Sequence, residues 1–151
     1  MSATDPSQRL GAFFATLVLS AFALNWVWEM AQMPAYRETA GRPWVETVPT
    51  CTLAALGDVA AVLAIYGVGA LAPGDVRWGL SGRWNVYATV ALLGGTCAVA
   101  FEWRALATGR WSYTDAMPVI PLLGVGLWPV LQLTVLTPAT FGIARYWVRS
   151  R

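Results

Sequence analysis

A chain of 151 residues that is 57% hydrophobic and only 12% charged, with a mean hydropathy of +0.53, carries too much apolar surface for a water-soluble domain and belongs in a membrane. Its ten basic residues are all Arg, set against eight acids for a net charge of +2, and Lys and His are absent. Those absences exclude a lysine Schiff base, a Walker-type phosphate loop, a histidine-ligated haem or zinc site and a Ser-His-Asp triad. Catalysis, if present, rests on carboxylates, Cys51, Cys97, Tyr, Arg or hydroxyls.

A spanning helix needs about 20 predominantly apolar residues, and four segments reach that length: Leu10 to Met33, Val48 to Ala72, Trp84 to Ala107 and Val119 to Val148. The expected fold is therefore an all-α integral-membrane four-helix bundle, a single membrane domain over residues 1–151. The first segment begins like a signal peptide, with Arg9 before an apolar run and Ala21-Phe22-Ala23 as a small-residue site. Because the run continues through Trp26, Val27 and Trp28 to full spanning length, it is expected to be a retained helix.

Loop one carries Pro34, Gly41, Pro43 and Pro49, and loop two reads Pro73-Gly74-Asp75. Loop three runs from Thr108 through Arg110, Trp111, Ser112 and Tyr113. Six arginines (Arg9, Arg77, Arg83, Arg145, Arg149, Arg151) fall on the side of the termini and loop two, and four (Arg37, Arg42, Arg104, Arg110) on the other. That split places both termini in the cytoplasm. Trp78, Trp84 and Trp147 then fall at the inner interface and Trp44, Trp103 and Trp111 at the outer, as an aromatic belt. Small residues Ala54, Gly57, Ala61, Ala64, Gly94, Gly95 and Ala98 are read as helix-packing positions. The two cysteines, without a C-x-x-C, are read as inert buried thiols, although a disulfide or a reactive thiol fits the same spacing. Scattered arginines argue against a nucleic-acid partner, and no ligand spacing suggests a metal or other cofactor.

Polar residues inside the spans carry the functional information. Asn25, Glu29, Gln32 and Tyr36 follow spacings that put them on one helical stripe. Cys51 and Asp58 share a face of helix two, helix three carries Glu102, and helix four carries Gln132. At 1.5 Å per residue, Glu29 and Glu102 lie roughly 6–8 Å inside the outer helix ends and Asp58 roughly 12–15 Å. A charged side chain near the bilayer centre costs about 2.5–3.5 kcal/mol; Arg104 is the only basic residue within the same spans, and Arg37 or Arg110 could fold back over another acid. At least one carboxyl is thus expected to carry a proton, as a general acid must. Interhelical hydrogen bonding is the competing reading, strongest for Glu102, Asn25 and Gln132.

Aromatic faces stabilise cations, and Trp28, Tyr36, Tyr113 and Trp128 are candidates to surround the acids. Loop three, with Arg110 and Asp115 in opposite charge and Pro118 and Pro121 restricting the chain, reads as a lid over them.

The run Asn25-Trp26-Val27-Trp28-Glu29 followed by Pro34 resembles the Asn-x-x-Trp-Glu motif of the integral-membrane terpene cyclases of meroterpenoid pathways. Its Trp-Glu pair also looks like heterodimeric lycopene cyclases. The resemblance implies a helical membrane enzyme that protonates an isoprenoid epoxide or olefin, with Glu29 as the matching acid and Asn25 and Trp28 as its neighbours. This chain has fewer spans than those cyclases, and Asp115 or Glu102 is the candidate for their second acid. More broadly, the layout looks like uncharacterised small bacterial membrane proteins, a likeness that implies a bacterial cytoplasmic membrane and no particular function.

The leading expectation is an intramembrane cyclase- or isomerase-type enzyme acting on an isoprenoid or lipid in a cavity facing the outer leaflet. Glu29, Asp58 and Glu102 are its catalytic candidates; Asn25, Trp28, Gln32, Tyr36, Arg110, Tyr113, Asp115 and Trp128 are its substrate-binding candidates. The alternative is a non-catalytic subunit of a larger respiratory or photosynthetic complex, and an ion carrier ranks last because no inverted repeat is present. Membrane lipids are the expected surroundings, with a homo-oligomer or a larger complex as the candidate assembly.

Overall fold

The apolar run after Arg9 folds as one helix, α1 (Pro6–Gln32). Its fully buried residues Phe13, Leu17, Ala21 and Asn25 recur every fourth position, the spacing of one helix face. The computed structural model describes residues 6–71 and 74–150; the readings that used Ala72, Pro73 and Arg151 lie outside them. Pro34 has no N–H to continue the helical ladder, so a 3-10 turn at Met33–Ala35 follows and Tyr36 is extended, with φ −115° and ψ 133°. Tyr36 therefore leaves the helical stripe and pairs by a β-bridge with Tyr113.

Helix α2 (Trp44–Leu71) starts before the expected Val48, because Pro49 is carried inside it. The missing Pro49 donor frees only the carbonyl of Val45, in a first turn that is exposed. Helix α3 (Trp84–Ala107) has the expected bounds.

The fourth segment departs most from expectation. Residues from Val119 to Gly126 are not helical: β1 (Val119–Ile120) pairs antiparallel with β2 (Val125–Gly126), and α4 spans Leu127–Arg149. Pro121 disfavours helical geometry at Ile120 before it, and Gly124 turns the chain at φ +67°, a region other residues rarely enter. Pro118 and Pro121 thus lie outside the helix, while Pro129 occupies its first turn, where no donor is lost.

The described residues form a four-helix bundle whose helices are each long and apolar enough to cross a membrane. Helix α4 packs against α1 and α3, and α1 against α2, whereas α2 and α3 touch far less. At Gly94 a side chain would run into the backbone of Leu133, so its absence sets the close α3–α4 approach. Gly57 has open space around it and does not act as a packing position.

The apolar core lies toward the termini and loop two, where Phe13, Leu17, Val62, Tyr66, Val90 and Phe141 pack together. Trp78 belongs to this cluster, stacked near Tyr66 and Phe141 and donating its Nε1–H to the Tyr66 carbonyl at 3.1 Å. It is half-buried against the core, unlike the exposed Trp44, Trp84, Trp103 and Trp147. The opposite half of the bundle holds the buried polar residues.

Candidate functional site

Gln132, 2% exposed on α4, is the junction of the polar half. Its Oε1 accepts from Gln32 Nε2 at 3.0 Å. Its Nε2 lies 3.0 Å from Asn25 Oδ1, 2.9 Å from Glu29 Oε1 and 2.8 Å from Asp58 Oδ2. An amide nitrogen carries two hydrogens, so three acceptors compete for two donors. Gln32 Nε2 adds a second hydrogen bond to Glu29 Oε1 at 3.0 Å, and Asn25 Nδ2 turns back to the Ala21 carbonyl at 2.8 Å.

Glu29 Oε1 and Asp58 Oδ2 thus converge on one amide nitrogen, that of Gln132. Two carboxylates converging on one amide repel one another when both are ionised. The stripe on α1 places Glu29 and Gln32 toward α4, and α2 delivers Asp58 from its midpoint, about 21 Å along the helix at 1.5 Å per residue. That is deeper than a helix starting at Val48 would put it.

Glu102, 3% exposed on α3, is held from loop three. Tyr113 donates its hydroxyl hydrogen to Glu102 Oε2, and Trp111 Nε1 approaches the same oxygen at 3.4 Å. The Tyr113 oxygen in turn accepts from the Gly126 N–H at 2.8 Å, so β2 positions the phenol. Burial, reinforced by the hydrogen bond to Glu102, pushes the Tyr113 phenol above its ordinary range. Burial followed by the charges of Glu102 and Glu29 does the same to Tyr36. Both stay neutral hydroxyls at physiological pH.

These groups line or flank a cavity of about 750 Å³. Glu29, Gln32 and Tyr36 form one wall, Cys51 and Asp58 a second, Glu102 a third, and Pro129, Gln132 and Leu133 the floor. Arg104 and Arg110 stand at its rim, with the Arg110 guanidinium 5.4 Å over the Trp111 ring. Loop three is stitched to loop one above: Arg37 N donates to Ser112 O at 3.0 Å, Arg37 Nε to Tyr113 O at 2.7 Å, and Thr114 N to Ala35 O at 3.0 Å. The rings of Tyr36, Trp111 and Tyr113 meet at centroid distances of 5.8–5.9 Å.

Of the candidates read from sequence, Glu29, Asp58, Glu102, Gln32, Tyr36 and Arg110 line the cavity. Asn25 and Tyr113 reach it through Gln132 and Glu102. Trp28, Asp115 and Trp128 are not among the lining residues, and Asp115 and Trp128 are exposed. The sequence places Gln132 among the polar residues inside the spans without a named role in the site, and assigns Trp111 to an interfacial belt. The Arg-Trp-x-Tyr order of loop three was the available signal for Trp111. Cys51 and Cys97 are both free, and the Cys51 thiol donates to Met33 Sδ on the cavity wall. Among the described residues, no cluster of three or more Cys, Asp or Glu is arranged to hold a metal ion.

No protein-family model, curated protein or solved structure matches the chain.

Proposed function

We propose that this protein is an intramembrane enzyme that acts on an isoprenoid or other lipid by general acid–base chemistry, of the cyclase or isomerase type. The observation that carries the proposal is the Glu29–Asp58 carboxyl pair, joined through Gln132 beside a cavity large enough for an apolar substrate. Two carboxyls so placed offer an acid and a base side by side when one of them carries the proton.

In this reading Glu29 gives its proton to a substrate double bond or epoxide oxygen, leaving positive charge on carbon. Asp58, or Glu102 on the facing wall, takes a proton from an adjacent carbon and restores a neutral product. The neutral rings of Tyr36 and Trp111 face that charge and stabilise it. The resemblance of Asn25-Trp26-Val27-Trp28-Glu29 to the membrane terpene cyclases supports Glu29 as the donor. The six-to-four arginine split supports cytoplasmic termini in a bacterial cytoplasmic membrane, which puts the cavity in the outer leaflet.

The test is turnover of prenyl olefins by protein-containing membranes in deuterated water, since protonation at carbon writes one deuteron into the product. Glu29→Gln and Asp58→Asn are expected to lower deuterated-product formation by about 10²–10⁴-fold, the usual worth of a positioned acid or base. Unchanged product formation in both variants would sink the proposal.

A further inference from the structure

Gln32 is 7% exposed and lines the cavity, yet its Oε1 has no hydrogen-bond partner among the described residues. Its nitrogen is committed to Glu29 and Gln132, so turning the amide over would set oxygen against oxygen. A buried acceptor left without a donor is costly, and its neighbours are themselves short of hydrogens. The group that would satisfy this oxygen is therefore a donor. At this oxygen Glu29 and, across Gln132, Asp58 disfavour an anionic head, whereas Arg104 and Arg110 stand at the rim.

A second observation says where the rest of such a molecule goes. Helices α2 and α3 touch far less than the other neighbouring pairs. The cavity lining at that gap consists of Leu53, Ala54 and Gly57 on one side and Ala98, Phe101 and Ala105 on the other. Leu53 is 65% exposed and Phe101 49%, so this apolar wall continues onto the surface the bilayer covers. The cavity lining thus reaches the apolar lateral surface of the bundle as well as the region beneath the loops.

We infer that the cavity holds an amphiphile whose uncharged or cationic head donates an O–H or N–H to Gln32 Oε1 and whose apolar chain leaves between α2 and α3. This names the head chemistry of the substrate and rests on the proposed enzymatic reading for its purpose, but its test reads binding rather than turnover. An inactive protein that binds selectively and an active one that does not are thus distinguishable.

The experiment uses the full chain in lipid nanodiscs with three photoreactive long-chain probes: a primary alcohol, the matching primary amine, and the methyl ether of the alcohol, which has no donor. The alcohol, the amine or both should label Leu53, Ala54 and Phe101 about tenfold more than the ether, the ratio of one hydrogen bond. Which of the two leads identifies the donor as hydroxyl or ammonium. Gln32→Met should bring the donor probes down to the ether. Gly57→Leu, at a position with open space around it, should block the gap and reduce labelling by all three without touching the polar network. If Gln32→Met does not fold, the probe comparison on the unaltered chain and Gly57→Leu still decide. Equal labelling by alcohol, amine and ether, or labelling of lipid-facing Leu19 and Leu92 as strong as that of Phe101, would overturn the inference.

Discussion

A buried amide is useful where several helices must agree on one geometry, because it both donates and accepts. Gln132 does this for α1, α2 and α4, through Asn25, Glu29, Gln32 and Asp58. Gln132→Leu removes the donor from buried acceptors and is expected to lower stability by about 1–3 kcal/mol, measured by reversible unfolding in bicelles. Tyr113 works similarly at smaller range, tying the Gly126 N–H to Glu102. In Tyr113→Phe the Gly126 amide should exchange with solvent markedly faster while amides of the Phe13–Phe141 core keep their protection. Unaltered exchange at Gly126 would show that Tyr113 does not anchor β2. The α1 stripe was legible at this scale because helical periodicity alone aligns Asn25, Glu29 and Gln32. That Gln132 would meet them was not legible, since its partners come from distant parts of the chain.

Elements show the same division. Apolar length was enough to locate the four helices, and α3 matched its expected bounds. Proline misleads in both directions: Pro49, grouped with loop one, is inside α2, whereas Pro121, within the segment expected to be helical from Val119, belongs to a hairpin. Whether a proline is tolerated depends on what receives the carbonyl it frees, and that is a matter of surroundings. Glycine spacing was equally ambiguous, since Gly94 and Gly57 look alike in sequence and only Gly94 meets a neighbouring backbone. Gly94→Val should separate α3 from α4 and destabilise the bundle by about 1–3 kcal/mol, the usual penalty of overpacking. Gly57→Ala should be neutral or stabilise by about 0.5–1 kcal/mol by relieving the glycine entropy cost in a helix. Thermal unfolding of the two variants in one detergent checks the contrast, and equal destabilisation would contradict the open α2–α3 gap.

For the whole molecule, the bundle is divided along its length: an apolar core at the end near the termini and a polar cavity at the end near loops one and three. If all four helices cross the bilayer, residues near loop two and the C-terminus emerge on one side and loop three on the other. Single cysteines placed at Ser81 and Ser150, in a background with Cys51 and Cys97 replaced by Ala, should react with an impermeant thiol reagent only from the cytoplasmic face. One at Ser112 should react only from the opposite face. Labelling of Ser81 and Ser112 positions from the same side would refute the four-span arrangement.

Composition and the lengths of apolar runs determined that this chain folds into helices long and apolar enough to cross a membrane, because that capacity depends on summed side-chain hydrophobicity and needs no knowledge of contacts. Helical period determined which α1 residues share a face. Only the tertiary structure decided that Asp58 pairs with Glu29 through Gln132, that Trp111 and Trp78 turn inward, and that α2 and α3 stand apart. Those outcomes depend on which helices neighbour which and at what depth, and hydrogen-bond partners drawn from separate helices leave no local trace along the chain.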